Sequence, residues 1–223
     1  MGHLLGNAVS DIFEEVDEEL RADRAQRFLK RYGTWIAAAM LLVVAGVGAL
    51  QGWRWWQDRE AVKAAETFLA AGAAGAAPNA DAKAIAAQYS AVAAQAPAGY
   101  RTLSRLRAAA LMAAEDAPGA LALWDQVSKD SAVEPLYRDL ATLLWGLHGL
   151  GSVEPAQIES RLAPLAVASN PWHASAQEVR ALAALARGDA PAARQGLEAL
   201  ANDVTAPQGV RERAGRLLAG LGG

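Results

Sequence analysis

The side chains that most often do chemistry are scarce in this 223-residue chain and nowhere grouped for it. It has no cysteine, which removes thiol catalysis and thiolate metal sites. In an oxidising compartment that leaves packing, not disulfides, to hold the fold. The three histidines, His3, His148 and His173, lie far apart and show no metal-ligand spacing. Glu115 and Asp116 form an adjacent carboxylate pair, but at a helix end such a pair is a solvated turn rather than an acid–base dyad. No Gly-rich phosphate loop, Gly-x-Ser-x-Gly elbow or His-Glu-x-x-His motif occurs. The residues predict no catalytic site, no metal and no cofactor: a chain that is not an enzyme.

What the sequence does position is a membrane boundary. Residues 32–53 carry no charge, and residues 36–50 are almost wholly apolar. At ~1.5 Å per residue this helix covers roughly 33 Å, enough for a hydrocarbon core of ~30 Å. Tyr32 and Trp35 stand at one end, Trp53, Trp55 and Trp56 at the other. Amphipathic rings settle at headgroup level, so these five mark two lipid–water interfaces. A transmembrane helix over residues 32–53 is predicted, in preference to a buried core helix. Arg21, Arg24, Arg27, Lys30 and Arg31 precede it, against Arg54, Arg59 and Lys63 after it. That bias puts the N-terminus in the cytoplasm. A cleaved signal peptide is disfavoured by the long acidic preceding segment and the absence of a small-residue cleavage site.

The flanking segments differ in kind. Residues 1–31 read as a cytoplasmic helix, acidic in its first half and basic in its second, which suits the helix dipole. Asp11 and Glu14 have the spacing of a capping box. Asp17–Arg21 and Asp23–Arg27 are favourable i,i+4 pairs. Ile12, Phe13, Val16 and Leu20 share one face, which fits either a solvated helix feeding the membrane or a docking helix. Five of the 21 Lys and Arg and seven of the 24 Asp and Glu precede the span, so the rest of the chain is nearly neutral. It offers no basic stripe for a phosphate backbone, which argues against nucleic acid.

Beyond the span every long segment is Ala- and Leu-rich at period 3.6, and none alternates long enough to be a strand. Residues 54–80 form a juxtamembrane helix and linker, and can supply the first helix of a first repeat. Breakers at Pro97, residues 116–119, residues 149–152, Asn170-Pro171, Gly188-Asp189 and Pro207 delimit short antiparallel helices over residues 81–223. A spacing of 36 residues relates Ala84, Ala120, Ala156 and Ala192, then Ala91, Val127, Ala163 and Ala199, and also Tyr100, Leu136 and Trp172. Small residues at fixed points let helix backbones approach, as a helix-pair solenoid requires. The expected fold is all-α: one N-terminal transmembrane helix, then a right-handed run of helix pairs closed by a capping helix, Gln208–Leu221. In that helix Val210, Ala214, Leu217, Leu218 and Leu221 make an apolar stripe, while Arg211, Glu212 and Arg216 face water.

With Gly188, Asp189 and Pro191 opening a second helix, the repeat resembles a tetratricopeptide repeat. The whole layout resembles the ancillary Sec-translocon subunit family of Gram-negative bacteria, whose span ends in a Gly-Trp-Arg-aromatic-Trp motif. Here that motif is Gly52-Trp53-Arg54-Trp55-Trp56. The acidic stretch over residues 11–19 departs from the family pattern. The resemblance implies a single-pass protein of the bacterial inner membrane with a periplasmic tetratricopeptide-like domain. Its implied partners are Sec translocon subunits, a periplasmic prolyl-isomerase-type chaperone, and unfolded or nascent secreted chains. The tetratricopeptide groove, carried onto the 36-residue register, falls on Arg105, Met112, Arg138, Trp145, His148 and Gln177. Trp145 is the expected anchor if it lies in the groove, and a core residue otherwise. Two other readings stand beside this one. The chain can be a scaffold or assembly subunit of another inner-membrane or envelope complex, respiratory or biogenetic. It can also self-associate, through the small-residue pairs Gly48/Gly52 and Ala45/Ala49.

The orientation is testable directly. Protease added to spheroplasts is expected to remove the segment after Arg54 and spare residues before Lys30. Protection of the C-terminal part would reverse the assignment.

Overall fold

The computed structural model describes residues 5–221, with side chains described from residue 30 onward. All regular structure among the described residues is helical. The chain divides into two units, Met1–Asp58 and Arg59–Gly223.

The described part of the first unit, residues 5–58, belongs to a single long helix, α1 (Leu5–Gly75). Within Lys30–Gly75 lies a stretch long and apolar enough to cross a membrane, of mean hydropathy 2.0, with none of it buried. Trp35, Met40, Leu41, Leu42 and Val44 are all exposed. A core helix would have these side chains covered, so the stretch does not serve as a core helix of this chain. Gly46, Gly48 and Gly52 face open space. The capping box expected at Asp11 does not head a helix, because α1 begins at Leu5. The apolar face through Ile12, Phe13, Val16 and Leu20, and the pairs Asp17–Arg21 and Asp23–Arg27, lie outside the described side chains. The three segments read from the sequence, with bounds at residues 31 and 53, run on as one helix: no proline lies within Leu5–Gly75, so nothing removes a donor from the hydrogen-bond ladder.

In the second unit the end of α1 is followed by α2 (Ala82–Gln95), α3 (Ala98–Met112), α4 (Ala117–Lys129), α5 (Pro135–Gly149), α6 (Pro155–Leu162), α7 (His173–Ala186), α8 (Ala190–Asn202) and α9 (Gln208–Leu221). Helix starts recur at 82, 117, 155 and 190, and again at 98, 135, 173 and 208, which is every 35 to 38 residues. Local chemistry sets these starts. Asp81, Asp116 and Asp189 each accept backbone N–H bonds from the first turns of α2, α4 and α8. These caps satisfy donors that a helix leaves open. Pro135 and Pro155 occupy first-turn positions of α5 and α6, where no N–H is required. Gly188 ends α7 with φ of 86°, a left-handed conformation that disfavours any Cβ. α6 has only 8 residues, because Pro164 turns its end into a 3-10 turn, Ala163–Leu165.

Each helix from α2 to α9 packs against the next, and α5, α7 and α9 also touch in succession. One core joins Leu106, Trp124, Val127, Leu143, Ile158 and Leu162 with Val179 and Ala183 of α7. A second joins Ala174 and Ala181 of α7 to Leu197, Leu200, Val210 and Ala214. A third, at the start of the unit, packs Phe68 and Ala71 against Ile85, Tyr89 and Ala108.

The 36-residue alanine register needs correction. Ala120 and Val127 are buried, but Ala84, Ala156, Ala192, Ala91, Ala163 and Ala199 are exposed. Close packing falls instead on neighbours such as Ile85, Ile158 and Ala193. Each residue turns the helix by about 100°, so a register chosen one or two positions off selects another face. The aromatic register has a physical counterpart: Trp172 Nε1 donates to the Leu136 carbonyl oxygen, 36 residues earlier, at 3.1 Å.

α9 covers the α7–α8 surface with Val210 and Ala214 fully and Leu217 and Leu218 in part. Removing residues 208–223 is expected to cost roughly 3–6 kcal/mol, from about 1.5–3 kcal/mol per fully buried large aliphatic side chain. Chemical denaturation of the full and shortened chains measures this; an unchanged midpoint would show that α9 covers nothing of consequence.

Candidate docking groove

A largely apolar cleft of the second unit lies over α7. Leu143, Leu144 and Leu147 of α5 form one wall, Ser175, Glu178, Val179 and Leu182 of α7 the floor, and Arg213, Arg216 and Leu217 of α9 the other wall, around about 660 Å³. That size falls within the range of ordinary ligand sites. At about 100° per residue, α7 is divided into four sides. Val179 and Ala183 face the first core, Ala174 and Ala181 the second, nearly opposite. Ser175, Glu178 and Leu182 occupy one of the two sides left between them.

The floor is charged as well as apolar. Glu178 is 8% exposed, and Arg213 binds it in a two-pronged pair, Nε to Oε1 at 2.7 Å and Nη2 to Oε2 at 2.6 Å. This geometry gives a strong, directional bond between α7 and α9. It raises the Arg213 pKa above its ordinary value against the opposing effect of burial. Arg216, three residues on, has no ion pair or hydrogen bond among the described residues. Leu147 is 42% exposed at the opposite lip. The groove therefore has an apolar wall on α5 and a cationic wall on α9.

The six expected groove residues are not brought together. Arg105 pairs with Asp130 at 3.0 Å. Met112 packs half-buried against the first core, beside a separate cleft near Lys83 and Ser90. Trp145 is 7% exposed and belongs to the core, with the Arg161 guanidinium 4.1 Å from its ring centroid. Of the two alternatives for Trp145, the core position is the one observed. Arg138 lies on the Trp145 side of α5, about 160° from the groove, with its Nε buried. His148 is exposed and stacks on buried Trp124, ring centroids 4.6 Å apart. Gln177 donates from Nε2 to the Ala166 carbonyl at 3.3 Å and lines a polar cleft with Glu159 and Arg180, across α7 from the groove. A fixed 36-residue register applied to helices that start 35 to 38 residues apart drifts by up to two positions, about half a turn. The groove residues missed in the sequence had one local signal, the Leu143-Leu144…Leu147 pattern on a helix that already has Trp145 for its core.

Around Trp145 the polar contacts serve packing. Arg161 binds Asp125 at 2.7 Å and Ser128 at 2.7 Å, and Lys129 also binds Asp125 at 2.7 Å. Burial raises the Asp125 pKa, but the hydrogen bonds from Lys129 and Arg161 outweigh it and hold the carboxyl below its ordinary value. No group of three or more His, Asp or Glu side chains suited to a metal occurs among the described residues. On α1, Tyr32, Trp35, Trp53, Trp55 and Trp56 are all exposed, with the Trp53 and Trp56 rings 5.4 Å apart. No family model, curated protein or solved structure matches the chain.

The two faces of α5 make opposite forecasts. Trp145→Ala is expected to destabilise the protein by ~3–5 kcal/mol. Leu147→Ser, at the exposed lip, should stay within about 0.5 kcal/mol of the parent. Denaturation of the full chain in detergent micelles measures both, and equal effects would contradict the placement of Trp145.

Proposed function

We propose that this chain is a non-enzymatic, single-pass protein of the bacterial inner membrane whose C-terminal helices form a tetratricopeptide-like solenoid that binds polypeptide. The observation that carries this reading is the apolar groove over α7, with large side chains left partly uncovered on a domain that has three buried cores already. The solenoid reading is supported by helix starts 35 to 38 residues apart, by packing between successive helices, and by the Trp172–Leu136 bond. In it, α3–α4, α5–α6 and α7–α8 are pairs, the end of α1 pairs with α2, and α9 caps the stack.

The anchor is the stretch bounded by Tyr32 and Trp35 and by Trp53, Trp55 and Trp56. With Lys30 and Arg31 inside, the domain after Arg59 lies in the periplasm. The resemblance to ancillary Sec-translocon subunits then gives the setting. The domain sits beside the translocon and binds a prolyl-isomerase-type chaperone or newly translocated chains.

Affinity purification of the full chain from mild detergent, followed by mass spectrometry, tests this. Translocon subunits together with a periplasmic chaperone are the expected partners. Recovery of a respiratory or envelope-assembly complex in their place would give the chain a scaffold role elsewhere. Recovery of the chain alone would remove the interaction reading.

A further inference from the structure

We infer that the groove over α7 takes an amphipathic helix of a partner polypeptide, one with leucine-type residues on one side and acidic residues along the flank facing α9. The inference rests on the polypeptide-binding reading above and specifies the chemistry of what is bound.

The walls carry the argument. The α5 wall offers Leu143, Leu144 and Leu147, and Leu182 and Leu217 extend the apolar surface across the groove. The opposite wall offers two guanidinium groups. Arg213 is neutralised by Glu178, which is the acidic residue among the lining side chains. Among the described residues Arg216 has no such partner, so its charge is left over at the lip. The groove therefore has a net cation on one side and none on the other, although the chain as a whole has a formal charge of −3. An occupant with an apolar face and a carboxylate on one flank matches both walls in one orientation. The same helix with lysine on that flank would place like charges together.

The dimensions favour a helix. The groove is bounded by two helices, α5 and α9, with a third, α7, as its floor, and a further helix packs on such a helical surface at roughly 8–10 Å from its neighbour. Leucines at i, i+3, i+4 and i+7 would meet the α5 wall together. The Glu178–Arg213 bond holds α9 to the floor, so the cationic wall is already in place before the partner arrives. Its two charges are spent on each other and do not compete for the partner's carboxylate.

The test uses the full chain in nanodiscs of zwitterionic lipid and two fluorescent helical peptides. The peptides share the leucine face and differ only in glutamate or lysine along one flank. The glutamate peptide is expected to bind at least about tenfold more tightly by anisotropy, after subtraction of empty nanodiscs. Arg216→Glu should reverse that order, and Leu147→Glu should weaken both peptides. Arg107→Glu makes the same charge change at an exposed site on α3 and should leave the order intact. Equal affinities, no binding of either peptide, or a reversal produced equally by Arg107→Glu would overturn the inference. Native polypeptide partners recovered by affinity purification alongside any of those results would leave the interaction reading standing and retire only the acidic-helix chemistry.

Discussion

The C-terminal half of the domain depends on α7 having no redundant side. Val179 and Ala183 close the core shared with α3 to α6, while Ala174 and Ala181, nearly opposite, close the core shared with α8 and α9. A helix buried on two opposite sides needs small residues, because neighbouring helices must approach it from both directions. α7 has alanine at Ala174, Ala176, Ala181, Ala183 and Ala184, all buried. The two remaining sides are thereby fixed as clefts: the leucine-lined groove on one and the polar cleft of Glu159, Gln177 and Arg180 on the other. The position of the groove is thus a consequence of how α7 is packed, not of a loop that has to be ordered separately.

How much was legible in the sequence varies with the physics of each feature. α9 was readable to its end residues because Pro207 starts it and its apolar stripe is regular. The long exposed apolar stretch of α1 was readable from the absence of charge over residues 32–53. The starts of α4 and α8 were readable from Asp116 and Asp189, which cap them. The turn between α4 and α5 has only a weak local signal, Asp130, Ser131 and Glu134 without glycine and a proline that sits inside the next helix, so it was legible only through the spacing that sets Leu136 near a helix start. Pro164 was missed because it lies in the middle of an Ala- and Leu-rich run that reads as helix on either side.

The groove was not legible, and the reason is geometrical. Composition and periodicity show that a helix has an apolar stripe, but not which neighbour covers which part of it. α5 illustrates this, since Trp145 and Leu147 are both large and apolar, yet one is buried and the other lies at a lip. Glu178 is a further case. It is an acidic residue at a buried position, and only the arrival of Arg213 from α9, 35 residues later, explains how it can be there.

Separate cores also mean separate opening. The cluster that holds α9 in place shares no side chain with the larger cluster built from α3 to α7. Detachment of α9 would expose Leu197 and Leu200 while leaving Trp124, Ile158 and Leu162 enclosed, the hallmark of a sub-global fluctuation rather than full unfolding. Because α9 also supplies one wall of the groove, amide exchange in residues 208–221 and occupancy of the groove are thermodynamically linked. Whatever fills the trough tightens the terminal helix, and whatever loosens the terminal helix empties the trough.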